Sequence, residues 1–176
     1  MEPYKFFNFC PKCGQHRAGR KAQSPFECDA CGFVYYFNPA IAAAAFVVRD
    51  NQQVLFIRRA KEPAKGKLAL PGGFIDMGET VEEAPRRELR EEVQLEAAAL
   101  EYLASFPNEY LYREITYRVL DFFFIARVTD PQNATAQEDV ESICWLNPST
   151  VPPEDIAFPS VRSALQLFCS RRKSPR

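Results

Sequence analysis

The chain has 176 residues, 47% of them apolar, enough to bury one good core and leave room for a small accessory module. Acids and bases nearly cancel, at a formal net charge of −1, so no whole-chain electrostatic attraction to nucleic acid or membrane follows. The single histidine, His16, leaves a Ser-His-Asp triad or a Cys-His pair only one imidazole to draw on.

In chain order, residues 1–37 read as a small module that needs a staple. They are rich in Cys, Lys, Arg, Gly and Phe and show neither helical nor sustained strand periodicity. Cys10 and Cys13, then Cys28 and Cys31, form two Cys-x2-Cys knuckles, each followed by glycine. The start Met1-Glu2-Pro3 lacks a signal-peptide pattern, and the longest apolar run, Ala40 to Val48, is too short to span a bilayer. The expectation is a cytoplasmic protein with no membrane partner, in which regular cysteine spacing points to metal before disulfides. Four thiolates suit tetrahedral Zn²⁺, and a closed four-sulfur shell makes that zinc structural rather than catalytic. Lys12, Arg17, Arg20 and Lys21 can meet nucleic-acid phosphates or form a plain solvated face. Cys144 and Cys169 read as ordinary thiols.

The main domain is expected over 38–170, opening at Asn38-Pro39. Ala40 to Val48 and Val54 to Ile57 read as sheet strands joined by a tight turn. Residues 60 to 69 read as a loop, and Pro71-Gly72-Gly73 as a break. From Thr80 the pattern is helical, with a capping box at Thr80 and Glu83 and a buried edge at Leu89 and Val93. Pro85 predicts local distortion there. Strands follow at Leu100 to Phe106 and Ile115 to Val128, separated by a loop from Pro107 to Glu114. Thr129 to Glu138 reads as a loop and Ser142 to Leu146 as a short strand. A helix starting near Ser160 carries Val161, Ala164, Leu165 and Phe168. The basic tail, residues 171–176, is expected to be disordered.

The chemistry concentrates on the first helix. At about 100° per residue, Glu88, Glu91 and Glu92 share one stripe, with Arg86, Arg87 and Arg90 on the neighbouring sector. Glu88 and Glu92 are a like-charge pair four apart, which destabilises a helix unless a cation neutralises it. Mg²⁺ or Mn²⁺ bound through carboxylate oxygens would do so. Arg87 can be bracketed by Glu83 and Glu91, and Gly72-Gly73 lets the backbone approach, with Gly73 able to offer a carbonyl. The bland alternative is a charged helix facing solvent.

The ordered string Gly73, Glu79, Arg87, Glu88, Leu89, Glu91, Glu92, Leu95 resembles the Nudix box. It departs from the box at Gln94, where a glycine normally closes the helix. The resemblance implies an α/β/α sandwich with a mixed sheet, in which Glu88, Glu91 and Glu92 hold Mg²⁺ or Mn²⁺ and Arg87 supports them. A further acid from a late loop is implied, with Glu138 and Asp139 preferred over Glu141. The implied reaction is hydrolysis of the pyrophosphate in a nucleoside diphosphate linked to another group, of the ADP-ribose, NAD(H) or nucleotide-sugar class. A zinc ribbon ahead of such a domain is similar to the layout of NADH pyrophosphatases. Their Ser-Gln-Pro-Trp-Pro-Phe-Pro signature is replaced here by Ser105-Phe106-Pro107-Asn108, which does not support the dinucleotide assignment.

For substrate contacts, Arg58 and Arg59, with Lys65 and Lys67, are candidates for phosphate, and Phe106 and Tyr110, with Tyr112 and Tyr117, for stacking a base. A homodimer stays open. So does a different class of function, a ligand sensor or a nucleic-acid-binding protein using the ribbon, although three like charges on one helix argue for catalysis.

Overall fold

A computed structural model describes residues 1–17, 25–49, 52–137 and 139–173. Glu138, Arg20, Lys21 and tail residues 174–176 lie outside the described residues.

The N-terminal module carries one short antiparallel pair, β1 (Phe26–Glu27) and β2 (Val34–Tyr35). Its core is small: Phe26, Cys10 and Cys28 are buried, and Phe7, Phe33 and Phe37 pack on them. β3 (Ala40–Val47) and β4 (Val54–Arg59) follow. Between them the Gln52 amide donates to the Arg49 carbonyl at 2.8 Å, but the two strands part into different sheets. β5 (Leu68–Ala69) pairs with β4, so the expected loop over 60–69 ends in a strand. β6 (Gly72–Phe74) pairs antiparallel with β3.

Helix α1 spans Ala84–Val93. The capping box forms, with the Thr80 amide donating to Glu83 and the Glu83 amide to the Thr80 hydroxyl. It lies one turn earlier than the regular helix, and Pro85 follows it: residues 81–83 are turn rather than helix, and the Arg86 amide reaches back three residues to the Glu83 carbonyl at 3.0 Å. This irregular turn is the local distortion expected of a proline placed early enough to be tolerated. The helix ends on Gln94 in the left-handed conformation, φ 57°. The Leu95 amide donates back to the Leu89 carbonyl at 3.0 Å, the closure that a glycine usually serves.

β7 (Ala97–Tyr112) and β8 (Ile115–Val128) form one long hairpin. The loop expected from Pro107 to Glu114 is instead strand as far as Tyr112, with a two-residue turn at Arg113-Glu114, both at positive φ as hairpin turns of this length require. Pro107 is tolerated because β7 is the edge strand of its sheet. The Met1 ammonium donates to the Glu114 carbonyl at 2.7 Å and the Thr116 amide to the Met1 carbonyl at 2.9 Å, which ties the N-terminal module to this turn. β9 (Val140–Leu146) pairs with β4. α2 (Pro159–Lys173) closes the fold and already includes residues 171–173, which the sequence assigned to a disordered tail.

The mixed sheet runs β6-β3-β8-β7, with β3 and β8 parallel, beside an antiparallel sheet β5-β4-β9. Val161, Ala164, Leu165 and Phe168 of α2 pack with Phe46, Phe56 and Phe123 on one side. Leu89 and Val93 of α1 pack with Val47, Leu55 and Ala126 on the other. The result is an α/β/α sandwich. No helix among the described residues is long and apolar enough to cross a membrane.

The Gln94 cap generates a stability prediction. Glycine would relieve about 1–2 kcal/mol of left-handed strain and add about 0.5–1 kcal/mol of unfolded-chain entropy. Gln94→Gly should therefore raise stability by roughly 0.5 kcal/mol in a denaturant titration. A clear loss would mean that the hydrogen bond from the Thr135 hydroxyl to the Gln94 side chain outweighs the strain.

Candidate active site

The site is built around the Arg87 guanidinium. Nε and Nη2 donate to the two oxygens of Glu79 at 3.0 Å each, a bidentate pair. Nη1 donates to Glu88 at 2.8 Å and to Glu91 at 3.0 Å, and Nη2 also donates to the Phe74 carbonyl at 3.0 Å. Glu83, expected to bracket Arg87, is committed to the capping box instead. The hydrogen bonds from Arg87 hold the Glu79 carboxyl below the usual carboxylate range, and Glu79 in turn pushes the Arg87 pKa further up.

Burial of Leu89 and Val93 sets the rotation of α1 and points Glu88 and Glu92 at β6. There the backbone comes very close. A Cβ on Gly73 would sit 2.3 Å from Glu88 Oε1, and one on Gly72 would sit 2.4 Å from the Ala43 carbonyl oxygen. The Gly72 amide donates to Glu92 Oε2 at 2.9 Å. Burial raises the Glu88 pKa against the opposing pull of Arg87. Burial also pushes Glu92 up to about 8, with the Gly72 amide opposing and the Glu88 charge adding to the rise. Glu91, by contrast, is exposed and turned to Arg87.

Glu88 and Glu92 line one end of a cavity of about 460 Å³ that passes β6 and runs between the sheets. Arg59, Tyr110 and Asp139 line it too; Arg58 and Phe106 are not among its lining residues. Arg58 donates to the Gly66 carbonyl at 2.5 Å and Phe106 packs on Phe123, so both have structural work. Lys67 reaches the Glu154 carbonyl. Asp139 is delivered by the late loop, whose Thr135 and Gln137 amides take the last carbonyls of α1, at Val93 and Glu92, at 3.0 Å each. Asp139 pairs with Lys61 at the rim. Tyr110 packs edge-on to Phe74 and beside Phe158, and Arg59 lies over the Phe158 ring at 5.0 Å.

Sequence reasoning missed Asn108 and Asp121, both buried and both on the cavity wall. Reading residues 107–114 as a loop hid the strand alternation Asn108, Tyr110, Tyr112. For Asp121 the available signal was a lone carboxylate between Val119 and Phe123 on one face of an apolar strand.

In the N-terminal module the four cysteine sulfurs lie within 4.8 Å of one another. The Cys10–Cys31 and Cys13–Cys28 sulfur pairs are each 3.7 Å apart. A tetrahedron with Zn–S of about 2.3 Å has edges of about 3.8 Å, so the cage fits zinc. The two knuckles repeat one geometry: the Gly14 amide donates to the Cys10 carbonyl and the Gly32 amide to the Cys28 carbonyl, both at 2.9 Å, with both glycines at positive φ. The thiols titrate as a cluster: burial raises Cys10 but backbone amides and neighbouring thiols outweigh it and bring it down to about 7, while the other thiols push Cys13 up against the pull of the Gln15 amide. The helix carboxylates offer hard oxygen donors, which suit Mg²⁺ or Mn²⁺.

The contact at Gly73 is testable. In Gly73→Ala the added methyl must displace the Glu88 carboxylate, so any metal-dependent turnover should fall by about tenfold or more while the melting temperature changes little. Unchanged turnover would mean that the position of Glu88 does not matter to the reaction.

Comparison with known proteins bears on the same residues. The NAD-capped RNA hydrolase NudC of Pseudomonas aeruginosa (strain LESB58) is 26% identical over 168 residues, covering 93% of this chain and 56% of that protein. The mitochondrial NAD(P)H pyrophosphatase NUDT13 of Homo sapiens is 40% identical over 98 residues, 55% of this chain and 27% of that one. The chain thus spans about half the length of NudC, or less of NUDT13. Among solved structures, a NUDIX hydrolase from Nitrosomonas europaea superposes with a TM-score of 0.70 at 23% identity, covering 94% of this chain and 92% of that one, and shares the fold. The sequence model of the NUDIX domain matches residues 38–167, a span that holds α1, the Gly72-Gly73 strand and the whole cavity, and the chain belongs to that family.

Proposed function

We propose that the chain is a divalent-metal-dependent hydrolase that cleaves the pyrophosphate bond of a nucleoside diphosphate joined to a second group, of the ADP-ribose, NAD(H) or nucleotide-sugar class. The observation that carries this reading is the pair Glu88 and Glu92, two carboxylates packed against a glycine strand at one end of a cavity of nucleotide size. NudC and NUDT13, by their names, act on NAD-capped RNA and NAD(P)H.

Glu88, Glu92 and Glu91, with the backbone at Gly73, are the residues that would hold Mg²⁺ or Mn²⁺. A bound ion would neutralise phosphate charge and lower the pKa of water. The protein's own groups divide the remaining work. Arg87 fixes Glu88 and Glu91 in place, so little reorganisation is needed when substrate binds. Asp139 lines the same cavity, near enough to Glu92 for its charge to be felt there, and its carboxylate can accept a proton from the attacking water. Glu138, its neighbour in sequence, remains a second candidate for that role. Arg59 is disposed to meet a phosphate, and Tyr110 with Phe74 and Phe158 offers faces and edges for a base. In this reading residues 38–170 form the catalytic domain and residues 1–37 a zinc ribbon with a structural Zn²⁺ on Cys10, Cys13, Cys28 and Cys31.

Glu92→Gln should lower turnover of such substrates by on the order of 100-fold and leave the fold intact, because it removes a buried carboxylate that stands four residues from Glu88. Hydrolysis in ¹⁸O-water should put label on a phosphate of one product. Native turnover in the Glu92→Gln, Glu91→Gln double variant at saturating Mg²⁺, or label in a sugar product, would overturn the assignment.

The ribbon makes a separate prediction. Purified protein should hold close to one zinc per chain by elemental analysis, and a chelator that strips it should first loosen residues 1–37 in hydrogen exchange. Turnover that tracks zinc content while the ribbon stays protected would contradict the structural role.

A further inference from the structure

Three polar side chains are buried among the described residues, Asn108, Asp121 and Ser160. They meet at one point. Ser160, in the first turn of α2, donates its hydroxyl to Asp121 Oδ2 on β8. The Asn108 side-chain amide on β7 lies near the same carboxylate, close enough to pull its pKa down. The Asn108 oxygen is occupied by the Glu109 amide at 2.9 Å, so the group Asn108 has left to offer is its NH₂. Burial raises the Asp121 pKa, and the neutral donors Ser160 and Asn108 oppose that rise. A carboxylate has sites for about four hydrogen bonds. The Ser160 donor leaves it able to accept more, and Asp121 lines the cavity.

Strand alternation fixes which end of the cavity this is. Asn108, Tyr110 and Tyr112 line it from β7, and Val119, Asp121 and Phe123 from β8. Across the sheet, Phe74, Ala42 and Asp121 stand in one row on β6, β3 and β8. Two strand spacings, roughly 10 Å, therefore separate Asp121 from the β6 edge where Glu88 and Glu92 lie. A phosphate is excluded from the Asp121 end by like charge at low dielectric. The group that belongs there is uncharged and carries hydrogen-bond donors. Beside Asp121 the cavity is lined by Ala42, Val119, Phe123 and Val161, while Tyr110 and Phe158, packed against each other, offer ring surface for an aromatic base. A sugar with adjacent hydroxyls fits this lining, since carboxylates bind vicinal ribose hydroxyls as paired acceptors.

We infer that Asp121, oriented by Ser160 and Asn108, is a specificity-determining residue that accepts hydrogen bonds from the ribose diol of the bound nucleotide. The inference rests on the proposed function for placing a nucleotide in the cavity. Its test is equilibrium binding, so the two can fail separately. Calorimetry with the full chain in Mg²⁺ would compare AMP, 2′-deoxy-AMP and IMP on native protein and on Asp121→Asn. Native protein should bind AMP about 10- to 100-fold more tightly than 2′-deoxy-AMP, a charge-assisted hydrogen bond's worth, and should bind IMP like AMP. In Asp121→Asn the AMP to 2′-deoxy-AMP ratio should fall about tenfold.

Equal native binding of AMP and 2′-deoxy-AMP needs no variant and overturns the inference. So does an absence of AMP binding, or an Asp121→Asn protein that keeps the native ratio or loses discrimination between AMP and IMP instead. If the ratio behaves as expected and ADP-ribose and NADH are not hydrolysed, the hydrolase reading fails alone. If they are hydrolysed and the ratio is flat, this inference fails alone.

Discussion

The site depends on a close approach between a helix and a strand that carries no side chains where the two meet. Gly72 and Gly73 let β6 press against β3 on one side and the Glu88 carboxylate on the other, with less than a methyl group's clearance at either contact. Everything acidic on α1 is arranged by that contact and by Arg87, which ties Glu79, Glu88, Glu91 and the Phe74 carbonyl together. A lone Lys could not replace it, because the fork of planar donors reaches five acceptor oxygens on four groups in fixed directions. The carboxylates are held by the fold before any cation arrives, and one guanidinium offsets the like-charge repulsion between Glu88 and Glu91.

Much of this was legible in the sequence because it is local. The spacing of Glu88, Glu91 and Glu92, the capping box at Thr80 and Glu83, and the paired cysteine knuckles each follow from helix or turn geometry within a few residues. Harder to read was anything that depends on what stands opposite. Pro107 and the charged residues around it have loop composition, yet an edge strand accepts them, and the hairpin continues to Tyr112. β3 and β4 look like a simple hairpin in sequence; tertiary pairing sends them to different sheets. The partner of Arg87 was misjudged for a related reason: Glu83 is in helical range, but its carboxylate had already been claimed by the cap, and Glu79 from the preceding turn took its place.

The cavity shows the same division. Asp139 reaches it because the loop after β8 uses its amides to satisfy the open carbonyls at the end of α1, a demand that every helix terminus makes. The sequence identified a late acid only through family resemblance; the physical reason it arrives is helix capping. Arg58 and Arg59 are adjacent in a strand and so face opposite ways. Only Arg59 lines the cavity, while Arg58 secures the loop at Gly66.

The long edge strand also bears on how these molecules behave towards one another at high concentration. β7 runs for sixteen residues along the border of the mixed sheet, and an unbroken border of that length is a template on which a second chain can add a strand and start a fibril. Irregular register at Ala97/Ala99 and Tyr102/Ala104, followed by Pro107 with no N–H to offer, divides it into pieces too short to template a stable ladder. The proline that makes this segment resemble a loop thus also interrupts the row of donors along the sheet's open edge.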